Sequence, residues 1–293
     1  MLVWLNGRWL RAQDARVPAL DRGLLHGDGL YDTWRTYDGV PFAVAAHIRR
    51  LTAAARVLRL PSPGPAALWE GLSRQIAARN RVRDAAVRLT FTRGAAGELL
   101  VPERATPPTR LLTIRPLAPD LAQTQARGIG VLLLPFPRDA APPWGGLKLV
   151  GKASGVVGRM LAQRRGAQEA LYVTADGAVT EATTANLFLV ERGRVVTPPT
   201  NGALLGGVTR DLVVRLARRV GIVVREERVT VARLRRAAEV FITASTVEVL
   251  PVVLLDGRRV GAGRPGPITL ALQERYRAAV SATLARARIA ASR

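Results

Sequence analysis

WGGLKLVGKASGVVGRMLAQRRGAQEA, from Trp144 to Ala170, contains Lys148 and Lys152, the only two lysines of the chain. Lysine and arginine together number 44, so the other 42 basic residues are all arginine. A guanidinium keeps its proton at working pH and forms no imine. A primary amine can lose its proton, and can form an imine, once desolvation or a neighbouring cation lowers its pKa. Two lysines in one short segment of an arginine-rich chain mark either a place for amine chemistry or two remaining surface charges, and composition alone leaves both readings open. At this point Lys148 and Lys152 stand equal. The segment itself predicts a helix over 152–165.

Outward from it, strands and helices are mixed throughout. On the N-terminal side, Asn6-Gly7 between apolar runs 2–5 and 9–10 is a type I′ hairpin signal, and Asp38-Gly39 closes a second hairpin after 30–37. Ile48, Leu51, Ala55 and Leu58 recur three and four apart, the period of a helix over 47–60, which Pro61-Ser62-Pro63-Gly64-Pro65 ends. A second helix presents Leu68, Leu72 and Ile76. Residues 85–92 alternate as a strand, with Val87, Leu89 and Phe91 on one face and Ala86, Arg88, Thr90 and Thr92 on the other. Residues 110–115 form another strand, and the polar, helix-poor stretch that follows reads as a linker, 118–128.

On the C-terminal side, strand 129–134 and a proline-rich loop, 136–143, lead into the lysine segment. Strands are expected at 170–174, 186–190, 195–197, 222–226, 240–243 and 249–255, and a helical tail from Pro267. Residues 204–209 read as a loop entering a helix, because Leu212, Val213, Leu216 and Val220 form a stripe. The class is α+β (mixed α/β), with a small N-terminal lobe, 1–117, and a larger lobe, 129–293.

Composition narrows the chemistry. Hydrophobic residues make up 48% and charged residues 23% of 293 positions, which supports a buried core. Without cysteine there are no disulfides, zinc-thiolate sites, iron–sulfur clusters or thiol nucleophiles. Two histidines, His26 and His47, are too few for a multi-histidine metal site, so no metal is expected. No apolar run approaches a membrane span and MLVWLNGRWL lacks a leader pattern, so a cytoplasmic protein is expected. The net charge of +22 invites a nucleic-acid reading. The arginines are dispersed along helix faces and aromatics are only 5%, so the charge supports non-specific binding and no specific nucleic-acid partner.

Several ordered motifs resemble the fold-type IV pyridoxal-phosphate enzymes. They are LDRGLLHGDGLYDT at 20–33, HIRRL at 47–51, TRG at 92–94, GLK at 146–148 and GAQEALYVTADGAVTEATTANLFLV at 166–190. Further on come GGVTRD at 206–211 and ITASTVEVLPV at 242–252. That group includes branched-chain and D-amino-acid aminotransferases and aminodeoxychorismate lyases. The resemblance covers essentially the whole chain. It implies a two-lobed fold whose larger lobe has a barrel-like core, pyridoxal 5′-phosphate as cofactor, and a homodimer.

Carried over residue by residue, the resemblance makes Lys148 the Schiff-base lysine; Lys152 falls where relatives place other residues. Glu181 matches the acid that pairs with the pyridinium nitrogen. Arg50 matches the phosphate arginine, and Val208 and Thr209, at an expected helix start, would offer N–H groups and a hydroxyl to the same phosphate. Ser245 would touch phosphate and Thr246 substrate. Tyr31 matches an aromatic beside the cofactor that contributes to carboxylate binding. Strand alternation places Tyr31, Thr33 and Arg35 on one face, and Arg88 opposite to Val87, Leu89 and Phe91, so Arg88, with Arg35, is the expected trap for a substrate carboxylate.

The implied reaction is ping-pong transfer of an amino group between an amino acid and a 2-oxo acid. The Arg-x-His pair that D-amino-acid enzymes place after TRG is missing, as is the glycine- and arginine-rich continuation of the lyases. Branched-chain enzymes carry Glu-Gly where this chain has Asp32-Thr33, although their strand arginine resembles Arg88. The first expectation is a D-amino-acid transaminase, with branched-chain L-amino-acid transamination next and the lyase third. The competing class is a basic binding protein on a retained fold; Lys148, Glu181 and Arg50 together argue against it.

Overall fold

Asn6 and Gly7 both take positive φ, 48° and 94°, and join β1 (Leu2–Leu5) to β2 (Arg8–Arg11). The computed structural model describes residues 1–102, 105–138, 144–202 and 204–291. After the short helix α1 (Arg22–Leu25), β3 (Gly29–Tyr37) turns through Asp38-Gly39 into β4 (Val40–Pro41). Helices α2 (Val44–Val57) and α3 (Ala66–Asn80) precede β5 (Ala85–Thr92) and β6 (Thr109–Pro116). These strands make one sheet in the order β2-β1-β6-β5-β3-β4. One face of it buries Leu30, Trp34, Val87, Leu89 and Phe91 against Ile48 and Leu51 of α2 and Trp69 and Ile76 of α3. The alternation read along β5 is therefore the alternation observed.

The second half begins with α4 (Leu121–Arg127), β7 (Ile129–Arg138) and α5 (Ala153–Arg164). Next come β8 (Glu169–Thr174), β9 (Ala178–Ala182), β10 (Asn186–Glu191) and β11 (Arg194–Thr197). Helix α6 (Val208–Arg219), β12 (Val224–Glu226), β13 (Val229–Thr230) and α7 (Val231–Arg235) lead to β14 (Glu239–Ala244). The chain then runs through β15 (Glu248–Leu255), β16 (Arg258–Arg259) and α8 (Pro267–Ala291). Because β9 pairs with β10 as well as β8, strands β7, β8, β9, β10, β14 and β15 close into a ring. Val131, Leu171, Val179, Leu189, Ile242 and Val252 belong to the buried cluster that fills it.

Residues 121–127 and 178–182 are among the elements that differ from the sequence expectation. Residues 121–127 are helical although polar, because the buried Gln125 is satisfied by hydrogen bonds instead of an apolar stripe: its Nε2 donates to the Val247 carbonyl, and its own carbonyl accepts from Gln273. Residues 178–182 form a strand that the sequence hid, since Thr180 and Glu181 are polar yet buried. Residues 139–143 of the expected proline-rich loop lie outside the described residues; 136–138 end β7.

The chain forms two compact units, one of Met1–Leu117, Leu147–Gly151 and the residues from Thr283, the other of Ala118–Gly146 and Lys152–Ala282. Among the described residues no helix is long and apolar enough to cross a membrane, and no cluster of His, Cys, Asp and Glu could hold a metal.

Candidate functional site

In the first unit, Lys148 sits on a short extended piece that adds to the open edge at the start of β3. The Tyr31 N–H donates to the Lys148 carbonyl (2.9 Å), the Val150 N–H to the Gly29 carbonyl (3.1 Å), and Leu30 and Leu149 form an antiparallel bridge. Leu147 and Leu149 pack on the sheet's core cluster. By strand alternation that turns Lys148 to the opposite face, and its Nζ lies 4.8 Å from the centre of the Tyr31 ring. The Arg88 guanidinium lies 4.0 Å from the same ring, and its Nε donates to Thr90 Oγ1 (3.2 Å). Cation–ring attraction thus gathers an amine and a guanidinium on one aromatic. Burial lowers the Arg88 pKa from its ordinary value, opposed by Tyr31.

Arg35 shares that face, but its guanidinium lies over Tyr37 (4.1 Å) and 3.9 Å from Asp84. In register, Arg88 stands opposite Thr33 and Arg35 opposite Ala86, so the two arginines are diagonal neighbours. Arg50 is on the other side of the sheet. On α2 it donates from Nε to Asp32 Oδ2 (3.1 Å) and from Nη2 to Asp32 Oδ1 (2.7 Å). His47 Nδ1 is 2.9 Å from the same Oδ1. Burial pushes the Asp32 pKa up, but the Arg50 and His47 charges beside it prevail and hold the carboxyl well below the usual carboxylate range. Burial holds His47 below its ordinary value; Asp32 opposes this, and Arg50 and Lys148 add to it.

In the second unit, Glu181 lies on β9, 9% exposed, and its Oε2 accepts the Leu205 N–H (3.1 Å). Asn186, its partner across the β9–β10 ladder, donates from Nδ2 to the Leu205 carbonyl (2.7 Å). Both polar groups of one loop residue are thereby tied to the strand pair that carries the acid. The same loop runs into α6, whose first residues are Val208 and the buried Thr209. Gly207, at the N-cap, has no side chain to cap the helix, so among the described residues the α6 start has no side-chain cap from its N-cap position and its first N–H groups suit an anion. A Cβ at Gly207 would stand 1.9 Å from Asn186 Oδ1, which only glycine avoids.

Arg210 anchors the first turn through Pro198 O (3.0 Å) and Glu226 (2.8 Å). Ser245 and Thr246 occupy the turn joining β14 to β15, held by Gln125 Nε2 on the Val247 carbonyl (2.9 Å). Thr243 Oγ1, buried and opposite Asn186 in the ladder, is without a hydrogen-bond partner among the described residues.

The donor set fits pyridoxal phosphate. It has an amine for an aldehyde, a buried carboxylate for a protonated ring nitrogen, and, among the described residues, a helix start without a side-chain cap for an anion. The first unit brings Lys148, Tyr31 and Arg88 together, keeps Arg35 on the same face with its guanidinium over Tyr37, and puts Arg50 on the other side of the sheet; the second ties Glu181 to the head of α6. Lys152 is the N-cap residue of α5. Sequence reasoning assigned no role to Asp32, His47 or Asn186. The available signal was Asp32 itself, a carboxylate two residues from Leu30 and from Trp34 on the apolar face of β3.

The family model for amino-transferase class IV matches residues 29–255. A Methanocaldococcus jannaschii protein, provisionally named a branched-chain-amino-acid aminotransferase, is 35% identical over 94% of this chain and 96% of its own. The D-alanine aminotransferase of Bacillus licheniformis is 31% identical over 93% and 95%. A hypothetical aminotransferase from Mycobacterium tuberculosis, in its PLP-bound form, superposes with a TM-score of 0.86 at 25% identity, covering 97% of this chain and all of that one.

Proposed function

The chain belongs to the amino-transferase class IV family, and from that membership we propose the substrates and the residue roles that follow. It is a pyridoxal-phosphate-dependent aminotransferase, acting on an amino acid and a 2-oxo acid. The bound cofactor supplies an electron sink next to the substrate's Cα and carries the amino group from one substrate to the next.

Lys148 is the attachment point, and its Nζ takes the proton from the substrate's Cα. Glu181 accepts a hydrogen bond from the ring nitrogen and keeps it protonated. Arg50, the N–H groups of Val208 and Thr209, the Thr209 hydroxyl and Ser245 bind the phosphate. Tyr31, Arg88, Arg35 and Thr246 hold the substrate. The observation that carries this reading is the Tyr31 ring, which bears the Lys148 amine at 4.8 Å and the Arg88 guanidinium at 4.0 Å. A base for the Cα proton and a cation for a carboxylate thus share one face of one sheet.

For substrate class we favour branched-chain L-amino acids with 2-oxoglutarate as acceptor, which reverses the order expected from the sequence. The support is the 35%-identical relative's name, the likeness of Arg88 to the branched-chain enzymes' strand arginine, and the missing Arg-x-His pair. D-amino acids are the second reading, favoured by the D-alanine aminotransferase relative. Adding L-leucine, L-glutamate, D-alanine and D-glutamate singly to protein loaded with pyridoxal phosphate decides between them. Bleaching of the visible band by the L-acids alone is expected; bleaching by the D-acids alone would reverse the order. Arg88→Ala should weaken the dicarboxylates by about 1.5–3 kcal/mol, read as a higher KM for glutamate. We also propose a homodimer by family resemblance, which sedimentation at twice the chain mass would support.

A further inference from the structure

We propose that Asp32 is a positioning residue that aims the Arg50 guanidinium at the cofactor's phosphate. This rests on the reading that Arg50 binds that phosphate. Asp32 stands where β3 faces its helices, between Leu30 and Trp34, both fully buried, and is itself 1% exposed. An ionised carboxylate is costly in such a layer unless it is paired and fully hydrogen-bonded. Here it is both: Arg50 meets it with two N–H groups, Nε to Oδ2 and Nη2 to Oδ1, and His47 Nδ1 is within hydrogen-bond distance of Oδ1. His47 and Arg50 lie three apart on α2, so one carboxylate is shared by two neighbours on one helical face.

A guanidinium is planar and its N–H directions are fixed, so two parallel bonds to one carboxylate fix its plane and its rotation. They occupy the Nε–Nη2 edge and turn the Nη1 end away from Asp32. A long, flexible side chain is thereby set before any anion arrives, which removes part of the ordering cost of binding. Electrostatics acts the other way, because a carboxylate beside Arg50 reduces its attraction for a dianion. The two effects predict opposite signs when the charge of Asp32 is removed, and that makes the proposal decidable.

The test is titration of the cofactor-free full-length protein with pyridoxal phosphate and, separately, with pyridoxal, which lacks the phosphate, followed by the visible band. Asp32→Asn should weaken pyridoxal phosphate about tenfold or more while leaving pyridoxal within about twofold, since only the phosphate grip depends on orientation. Asp32→Glu, which keeps the carboxylate, should restore most of the loss. In an Arg50→Gln background, Asp32→Asn should change pyridoxal phosphate binding by less than about twofold. Tighter or unchanged binding by Asp32→Asn overturns the proposal, as does an equal loss for both ligands. If Arg50→Gln itself leaves pyridoxal phosphate binding unchanged, the Arg50 reading fails. Should Asp32→Asn not fold, Arg50→Lys carries the test. It keeps the buried carboxylate paired but cannot make the two-bond fork, so it should bind pyridoxal phosphate nearly as weakly as Arg50→Gln. Wild-type affinity in Arg50→Lys would show that charge suffices and orientation does not matter.

Discussion

At the scale of single residues, the two lysines that the motif resemblance tells apart also differ in their contacts. Lys148 is pinned through its own carbonyl to Tyr31 and holds its amine against that ring, whereas Lys152 opens helix α5. Lys148→Ala should abolish the visible band that forms with pyridoxal phosphate, and Lys152→Ala should keep it; the reverse result would move the attachment point. His47 sets a pH dependence of stability. Its folded pKa lies below the ordinary 6.5, so as pH falls past that value the unfolded chain takes up a proton that the folded chain refuses. Stability present above pH 6.5 is therefore lost on acidification, with a slope of at most about 1.4 kcal/mol per pH unit. Chemical denaturation between pH 7 and 5, above the ordinary range of the carboxylates, should show that slope in the wild type and lose it in His47→Asn. A lost slope is the decisive sign, because a merely destabilised variant would shift the curve and keep its shape.

At the scale of elements, regular signals were legible and irregular ones were not. The Asn6-Gly7 and Asp38-Gly39 turns and the alternation of β5 form as their sequences predict, because positive φ and period-two burial are local constraints. Strand β9 escaped notice because Thr180 and Glu181 are buried polar residues, and α4 because its buried face is a glutamine. The link between β9 and α6 was equally invisible, since Asn186 and Leu205 are far apart in sequence and meet only through the ladder. Gly207→Ala tests that link. Its Cβ would displace Asn186, so a stability loss on the order of 1–3 kcal/mol and faster release of pyridoxal phosphate are expected. Gly206→Ala, where an added Cβ meets nothing within 4 Å, is the matched control and should leave the melting temperature nearly unchanged.

For the whole molecule, the +22 net charge predicts weak, sequence-independent association with polyanions. Binding to DNA of any sequence should fall steeply between 50 and 200 mM salt, on the order of 10³-fold or more for six phosphate contacts; a salt-resistant, sequence-selective complex would contradict this. Composition and periodicity determined the fold class, and the resemblance of the ordered motifs to a known family supplied the family and most of the candidate list, because both are written along the chain. The tertiary structure alone decided which candidates share a surface. It returned residues 147–151 to the first unit as an addition to β3, set Lys148 and Arg88 on the one ring of Tyr31, and put Arg50 across the sheet on Asp32. Those neighbours come from strand pairing and from the two faces of a sheet, and sequence spacing carries no record of which edge a returning segment will join.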